Sequence, residues 1–237
     1  MSLEHEPENS EDILNDALSF LGGTTILEDD SIHYGPLTLT VASKANTLLA
    51  DHVFSPALFL AERIERQLLA APGSTASLVV VTDYPDDGIL GNLQKNVERN
   101  RAHFNITCQV KCAGYAWGND PQPLLDFLSN DRKGYDIVIL SDLLHFDSFH
   151  DILLASATAL LAQTPTAHLH VAAGNYTRPH VCDSFITKAR KLGLVFEEMT
   201  MQTNEEGWLG RLEVRGFDNE ALSLRKAACR YWVGHRM

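Results

Sequence analysis

The sequence predicts an α/β fold: a doubly wound, mostly parallel sheet with helices on both faces, and a small β-hairpin extension near the N-terminus. Three observations carry that expectation. Apolar runs such as LVVV at 78–81 and IVIL at 137–140 show no polar alternation, which is how strands read when both faces are buried. Amphipathic segments of helical period separate those runs at the spacing of strand–helix–strand units. Successive runs also end in turns bearing acids or aromatics, at Asp83/Tyr84, Trp117/Asp120 and Ser141/Asp142. In a parallel sheet such turns share one edge, and open α/β folds bind ligands there.

The chain of 237 residues suits a flexible acidic N-terminus over 1–20 and one domain over 21–237. Its formal net charge of −12 repels phosphate backbones, so no nucleic-acid partner is expected. The first sixteen residues lack the apolar core of a signal peptide, and no run reaches the ~18 apolar residues of a membrane span. A cytoplasmic or nuclear location without membrane contact is the expectation. The four cysteines lack the second pair or nearby histidines of a zinc site, so they read as reduced thiols and no metal is expected.

Taken in order, turn signals at Gly22-Gly23, Asp29-Asp30 and Gly35-Pro36 frame a short hairpin, with Leu37, Leu39 and Val41 alternating with Thr. Pro56 opens a helix expected to run to about residue 70, with Leu58, Leu60, Ile64 and Leu68 on its apolar side. The LVVV strand follows. A helix over 89–103, a strand over 105–113 and a short helix over 122–129 lead to the strand over 135–140. The apolar helix over 152–162 and a strand over 167–173 come next. A basic helix over 181–192, a strand over 194–201 and a β-favouring run over 227–234 complete the domain.

Each candidate site residue has two readings. Asp83, at a strand end, suits the two hydroxyls of a ribose, while Asp86 or Asp87 can cap the next helix. Trp117 offers a flat face to a heteroaromatic ring or plugs the gap between turn and helix. Asp142 orients a cationic amine or sulfonium centre, or caps a helix. His145 is a candidate base, although a histidine with no visible partner usually serves structure. Arg178, Tyr176, Phe146 and Trp208 are candidates for the border of an acceptor site. A magnesium site at the Asp86-Asp87 pair lacks a matching lysine at a later strand end.

Three segments together, VVVTDYPDDGILGNLQKNVERN, GYAWGNDPQPLL and YDIVILSDLLHFDSFHDILL, resemble the seven-strand, Rossmann-like S-adenosylmethionine-dependent methyltransferases. Within these they are similar to the fungal nicotinamide N-methyltransferase-like group, which includes elongation-factor lysine and N-terminal methyltransferases. The resemblance covers about residues 45–200, beginning with HVFSPALFLAERIE. It implies S-adenosyl-L-methionine as cofactor, with Asp83 and the adjacent Tyr84 at the ribose. Trp117 and Gly118 would border the adenine, and Ser141 would lie beside the methionine moiety. Asp142 would orient the incoming nucleophile, an amine of a protein or of a small molecule, and a further protein partner is compatible with it. The reaction is in-line methyl transfer to nitrogen, which depends on alignment more than on a dedicated base.

One element of the resemblance is missing. The group carries a glycine-rich loop after its first strand, and this sequence contains no G-x-G. The leading helix is followed by the second strand of the group's order after about a dozen residues, whereas a strand–helix unit takes roughly 25–30. A central strand of the sheet is therefore expected to be absent. Two functional readings stand: an N-methyltransferase, or a methyltransferase-like binding or regulatory subunit without catalysis.

Overall fold

Gly35, at φ 54°, closes the turn between β1 (Ser31–Tyr34) and β2 (Leu37–Thr40), an antiparallel hairpin in the register Ser31↔Thr40. The structure is a computed structural model that describes residues 31–42, 53–71, 73–129, 131–199 and 206–237. The tail over 1–20 and the turns at Gly22-Gly23 and Asp29-Asp30 lie outside the described residues.

Pro56 stands in the first turn of α1 (Ser55–Glu65), as its fixed φ favours. The helix stops five residues earlier than the apolar pattern suggests. Gln67 adopts φ 57°, a left-handed turn that redirects the chain and buries Leu69 against Phe59 and Leu60. As a result Ile64, expected on the apolar face, is 55% exposed, while Glu62 is buried.

β3 (Leu78–Asp83) leads through Asp86, whose carboxylate caps the backbone N–H groups of Gly88 and Ile89, into α2 (Asp87–Arg99). β4 (Gln109–Gly114) pairs parallel with β3. Helix α2 grips the hairpin through side-chain amides at four-residue spacing. The Thr40 N–H donates to Asn96 Oδ1 at 2.9 Å, and the Thr40 carbonyl accepts from Asn92 and Asn96 at 2.7 and 2.8 Å. Asn100 repeats the pattern on Thr38, at 2.9 and 2.7 Å. These amides stand in for a neighbouring strand and satisfy the edge of β2.

A short helix α3 (Gln122–Leu125) precedes β5 (Ile137–Ser141), and α4 (His150–Leu160) precedes β6 (His168–Gly174). α5 (Pro179–Lys191), β7 (Leu194–Glu198), α6 (Asn219–Ala227) and β8 (Cys229–Arg236) follow. These strands form one sheet in the order β5-β6-β8-β7, with β5 and β6 parallel and β8 antiparallel to both neighbours. Helices cover both faces, as the alternation along β6 and β8 shows. Leu169, Val171, Ala173 and Trp232 join the core beneath α4 and α5, whereas Ala172 and Tyr231 pack with Phe59 and Leu60 of α1. The fold is Rossmann-like α/β.

The sheet is broken where the sequence omits a strand. β3 and β4 form a two-stranded sheet of their own, and β3 and β5 each pair on one edge only among the described residues. The expectation that the LVVV run is buried on both faces needs correction. No residue of β3 is fully buried and Val79 is 38% exposed, because β3 lacks a neighbour on one edge. Ile139 of β5, at 40% exposed, shows the same effect.

Candidate functional site

Asp142 is the best-defined polar feature of the sheet's C-terminal edge. The chain leaves β5 through Ser141, half-buried and in register with Ala172 of β6. Asp142 then takes φ 60°, a left-handed conformation that aspartate tolerates better than most residues. Its N–H donates to the Ala172 carbonyl at 2.8 Å, which anchors the turn to the next strand. The carboxylate is 6% exposed and accepts from the Gly174 N–H at 3.3 Å and from the Tyr176 hydroxyl. Gly174 has no side chain for a reason: an added Cβ would lie 2.2 Å from the Tyr176 ring, which folds back over it.

Burial dominates the electrostatics of this corner. It raises the Asp142 pKa to about 6, against the lowering effect of the Tyr176 and Gly174 hydrogen bonds. It also raises Tyr176, with the Asp142 charge adding to the effect. Cys229, at the start of β8, is pushed up to about 12 by burial and then by Asp142. Its thiol donates to the Arg225 carbonyl and is a poor nucleophile at that pKa.

Aromatic rings pack around this corner. Phe54, just before α1, lies 5.9 Å from the Tyr176 ring. The His145 ring is 6.5 Å from Tyr176 and 4.0 Å from Phe146, and Trp117 stands 5.6 Å from Phe146 and 6.4 Å from Phe149. Trp117 therefore joins the turn after β4 to the loop after β5, which is the packing reading of this residue. Gly118 beside it has φ 86°, and an added Cβ would meet Ile152 of α4 at 2.6 Å. Its N–H donates to Ser156 Oγ at 2.8 Å.

Asp83 and Tyr84 lie at the end of β3, beside the strand that leads to Trp117 and Gly118. Asp83 ends β3 opposite Gly114, and its Oδ1 accepts the Tyr84 N–H at 2.7 Å. Partial burial raises its pKa, with the Tyr84 N–H opposing. Tyr84 is 51% exposed. The structure thus links two half-sheets at this edge: Asp83, Tyr84, Trp117 and Gly118 come from the β3–β4 pair, Ser141 and Asp142 from the end of β5, and the Trp117–Phe146 contact joins them. Of the proposed acceptor-border residues, Tyr176 and Phe146 belong to the corner. Trp208 does not: it packs against Tyr34 in a separate apolar cluster. Sequence reasoning overlooked Phe54 and Ser156, whose roles arise from contacts distant along the chain.

Comparison with known proteins gives the family. A family model described as lysine methyltransferase matches residues 67–191, more than half of the chain. A Candida glabrata protein named protein N-terminal and lysine N-methyltransferase EFM7 is 32% identical over 174 residues, covering 70% of this chain and 63% of that relative. A Gibberella zeae protein of the same name is 28% identical, covering 69% of this chain and 72% of its own. This chain thus spans under two thirds of the Candida relative's length. Among solved structures, a methyltransferase from Pyrococcus furiosus aligns with a TM-score of 0.43 at 12% identity, over 74% of this chain and 81% of its own. A likeness that loose adds nothing to what the strand order already says.

Proposed function

The chain belongs to the lysine methyltransferase family, and from that premise we propose that it methylates an amine nitrogen of a protein, on a lysine side chain or an N-terminus. The observation that carries the proposal is Asp142, a buried carboxylate held by Tyr176 and Gly174 among aromatic rings at the sheet edge. Such a group binds a cationic or polarised amine and strips water from it, which favours attack. The relatives are named protein N-terminal and lysine N-methyltransferase, which supports a protein acceptor over a small one.

The residues present fit the adenosine part of S-adenosylmethionine. Asp83 offers a carboxylate at a strand end whose recorded partner is a single N–H, leaving acceptor capacity for ribose hydroxyls. Trp117 and Gly118 would border the adenine, with Tyr84 next to the ribose and Ser141 on the methionine side. The chemistry the cofactor supplies when bound is an electrophilic methyl group on a sulfonium. What the chain itself contributes is orientation of the amine by Asp142, exclusion of water by Phe54, Phe146, Trp117 and Tyr176, and a fixed carboxylate direction set by the left-handed turn.

Calorimetric titration of the full chain with S-adenosylhomocysteine, paired with transfer of labelled methyl to a cytosolic protein extract, tests this. Saturable binding with label on protein is expected, and Asp83→Ala should weaken binding severalfold. Folded protein that binds nothing at millimolar ligand would leave the reading of a non-catalytic binding subunit. An unchanged affinity in Asp83→Ala would remove the ribose assignment.

A further inference from the structure

His145 is an unexplained group in this corner. It follows Asp142 by three residues, around the turn after β5, and its ring lies against Phe146 and faces Tyr176 edge-on. Both ring nitrogens are buried and neither makes a hydrogen bond of ordinary geometry, although the backbone of Asp142 lies near enough to act on the ring. A neutral imidazole carries one donor and one acceptor. The Asp142 carbonyl can serve only the donor, so the acceptor nitrogen is left buried without a partner, which is unfavourable. His150, five residues on, shows the ordinary structural solution, with Nε2 at 2.7 Å from the Leu144 carbonyl. His145 has no such solution.

We propose that His145 is the proton acceptor for the substrate amine. The inference rests on the methyltransferase reading given above. An acceptor ammonium entering this corner meets Asp142 on one side and the unprotonated nitrogen of His145 on the other. The N–H bond breaks and its proton passes to the imidazole, giving an imidazolium and a neutral amine whose lone pair is free. After the amine has reacted, the imidazolium returns the proton to water.

The surroundings agree with this role. Burial lowers the His145 pKa, with the Asp142 carbonyl opposing, so the ring is neutral and able to accept near pH 7. The titratable groups that face it are Asp142 on its own loop and Tyr176 on the turn after β6, with Arg225 of α6 and Cys229 of β8 coupled to them one layer further. The same burial penalises the substrate ammonium and narrows the gap between the two groups. For an α-ammonium, with a pKa of about 7.7–8.0, the gap is smaller than for a lysine at about 10.4. His145 therefore suits an N-terminal amine better than a side chain.

The test uses ¹⁵N-histidine-labelled full chain, with the His145 ring signals identified by their loss in His145→Gln. The probes are triglycine amide and its Nα-acetylated form. The free peptide should move the His145 ring signals and the acetylated one should not. His145→Phe and His145→Gln should each weaken the free peptide at least fivefold. Ring signals that ignore the free peptide, or respond equally to the acetylated one, would overturn the proposal, as would unchanged affinity in both variants. Ring signals that respond selectively in a protein transferring no methyl group would instead overturn the enzymatic reading, leaving His145 as an amine-binding group.

Discussion

Asp142 and His170 respond to pH in opposite senses. The folded pKa of Asp142, about 6, lies above its ordinary 3.8, so its contribution to stability is present while it is protonated. That contribution is lost as pH rises from about 4 through 6. His170 is held at about 4 by burial, then by repulsion from His168, with the Leu69 carbonyl opposing. Here the unfolded chain binds the proton more readily, so stability is present above 6.5 and lost as pH falls towards 4. Each effect is on the order of 3 kcal/mol, and the two nearly cancel over the same window. The wild type should therefore show little net dependence from these two groups. Asp142→Asn unmasks His170: relative to wild type it should gain on the order of 3 kcal/mol between pH 4 and pH 7, measured by urea unfolding at each pH. A difference between variant and wild type that stays constant across that range would remove the buried-carboxylate assignment. The same substitution should cut methyl transfer by about tenfold or more, in line with loss of a group that orients the nucleophile.

Among the elements, α1 and α6 are joined by a buried ion pair. Lys226 Nζ donates to Glu62 Oε1 at 2.9 Å, with side chains 2% and 0% exposed. The same oxygen accepts the Leu209 N–H at 3.0 Å, which ties the approach to α6 onto α1. Arg66 also reaches Glu62 Oε1, at 3.3 Å, but from a partly exposed position. Removing Lys226 leaves the buried carboxylate with that longer pair alone, so Lys226→Met should destabilise by on the order of 3 kcal/mol, whereas Glu62→Leu with Lys226→Met should recover most of that loss. The residual cost is the Leu209 N–H left without its acceptor and the lost Arg66 pair. Chemical denaturation of the two variants checks this, and a double variant no better than the single one would contradict it. The Asn92–Asn96–Asn100 ladder is a second joint between elements. Asn96→Leu should loosen the hairpin, seen as faster amide exchange in residues 37–40 with α2 still protected.

For the whole molecule, the consequence of the broken sheet is uneven stability. The core beneath α4 and α5 contains Leu144, Leu153, Leu154, Leu169 and Phe185, all essentially inaccessible, and it belongs to the four-stranded sheet. β3 and β4 contribute no fully buried residue. Amides of β6 should exchange only through global unfolding, while those of β3 and β4 exchange through a smaller opening several kcal/mol cheaper. Equal protection in the two sheets would show that the half-sheets are one cooperative unit. Saturation with S-adenosylhomocysteine should slow exchange in β3 in particular, because Asp83 at its end is the proposed ribose partner.

Much of this protein was legible in its residues. Unalternating apolar runs located β3 and β5, Pro56 and the Asp86 cap located helix starts, and the TDYPD, GYAWGND and LSDLLHF segments led to the family. The short distance from the leading helix to β3 foretold the break in the sheet. These signals are local, so a linear sequence can carry them. Only the tertiary structure decided that Glu62 is buried and Ile64 exposed, that asparagine amides close the hairpin edge, and that Phe54, Tyr176 and Asp142 meet. It alone left the His145 ring buried without a hydrogen bond of ordinary geometry. Those outcomes depend on which distant segments come into contact, and burial, pairing and pKa are properties of contacts between segments rather than of any one residue.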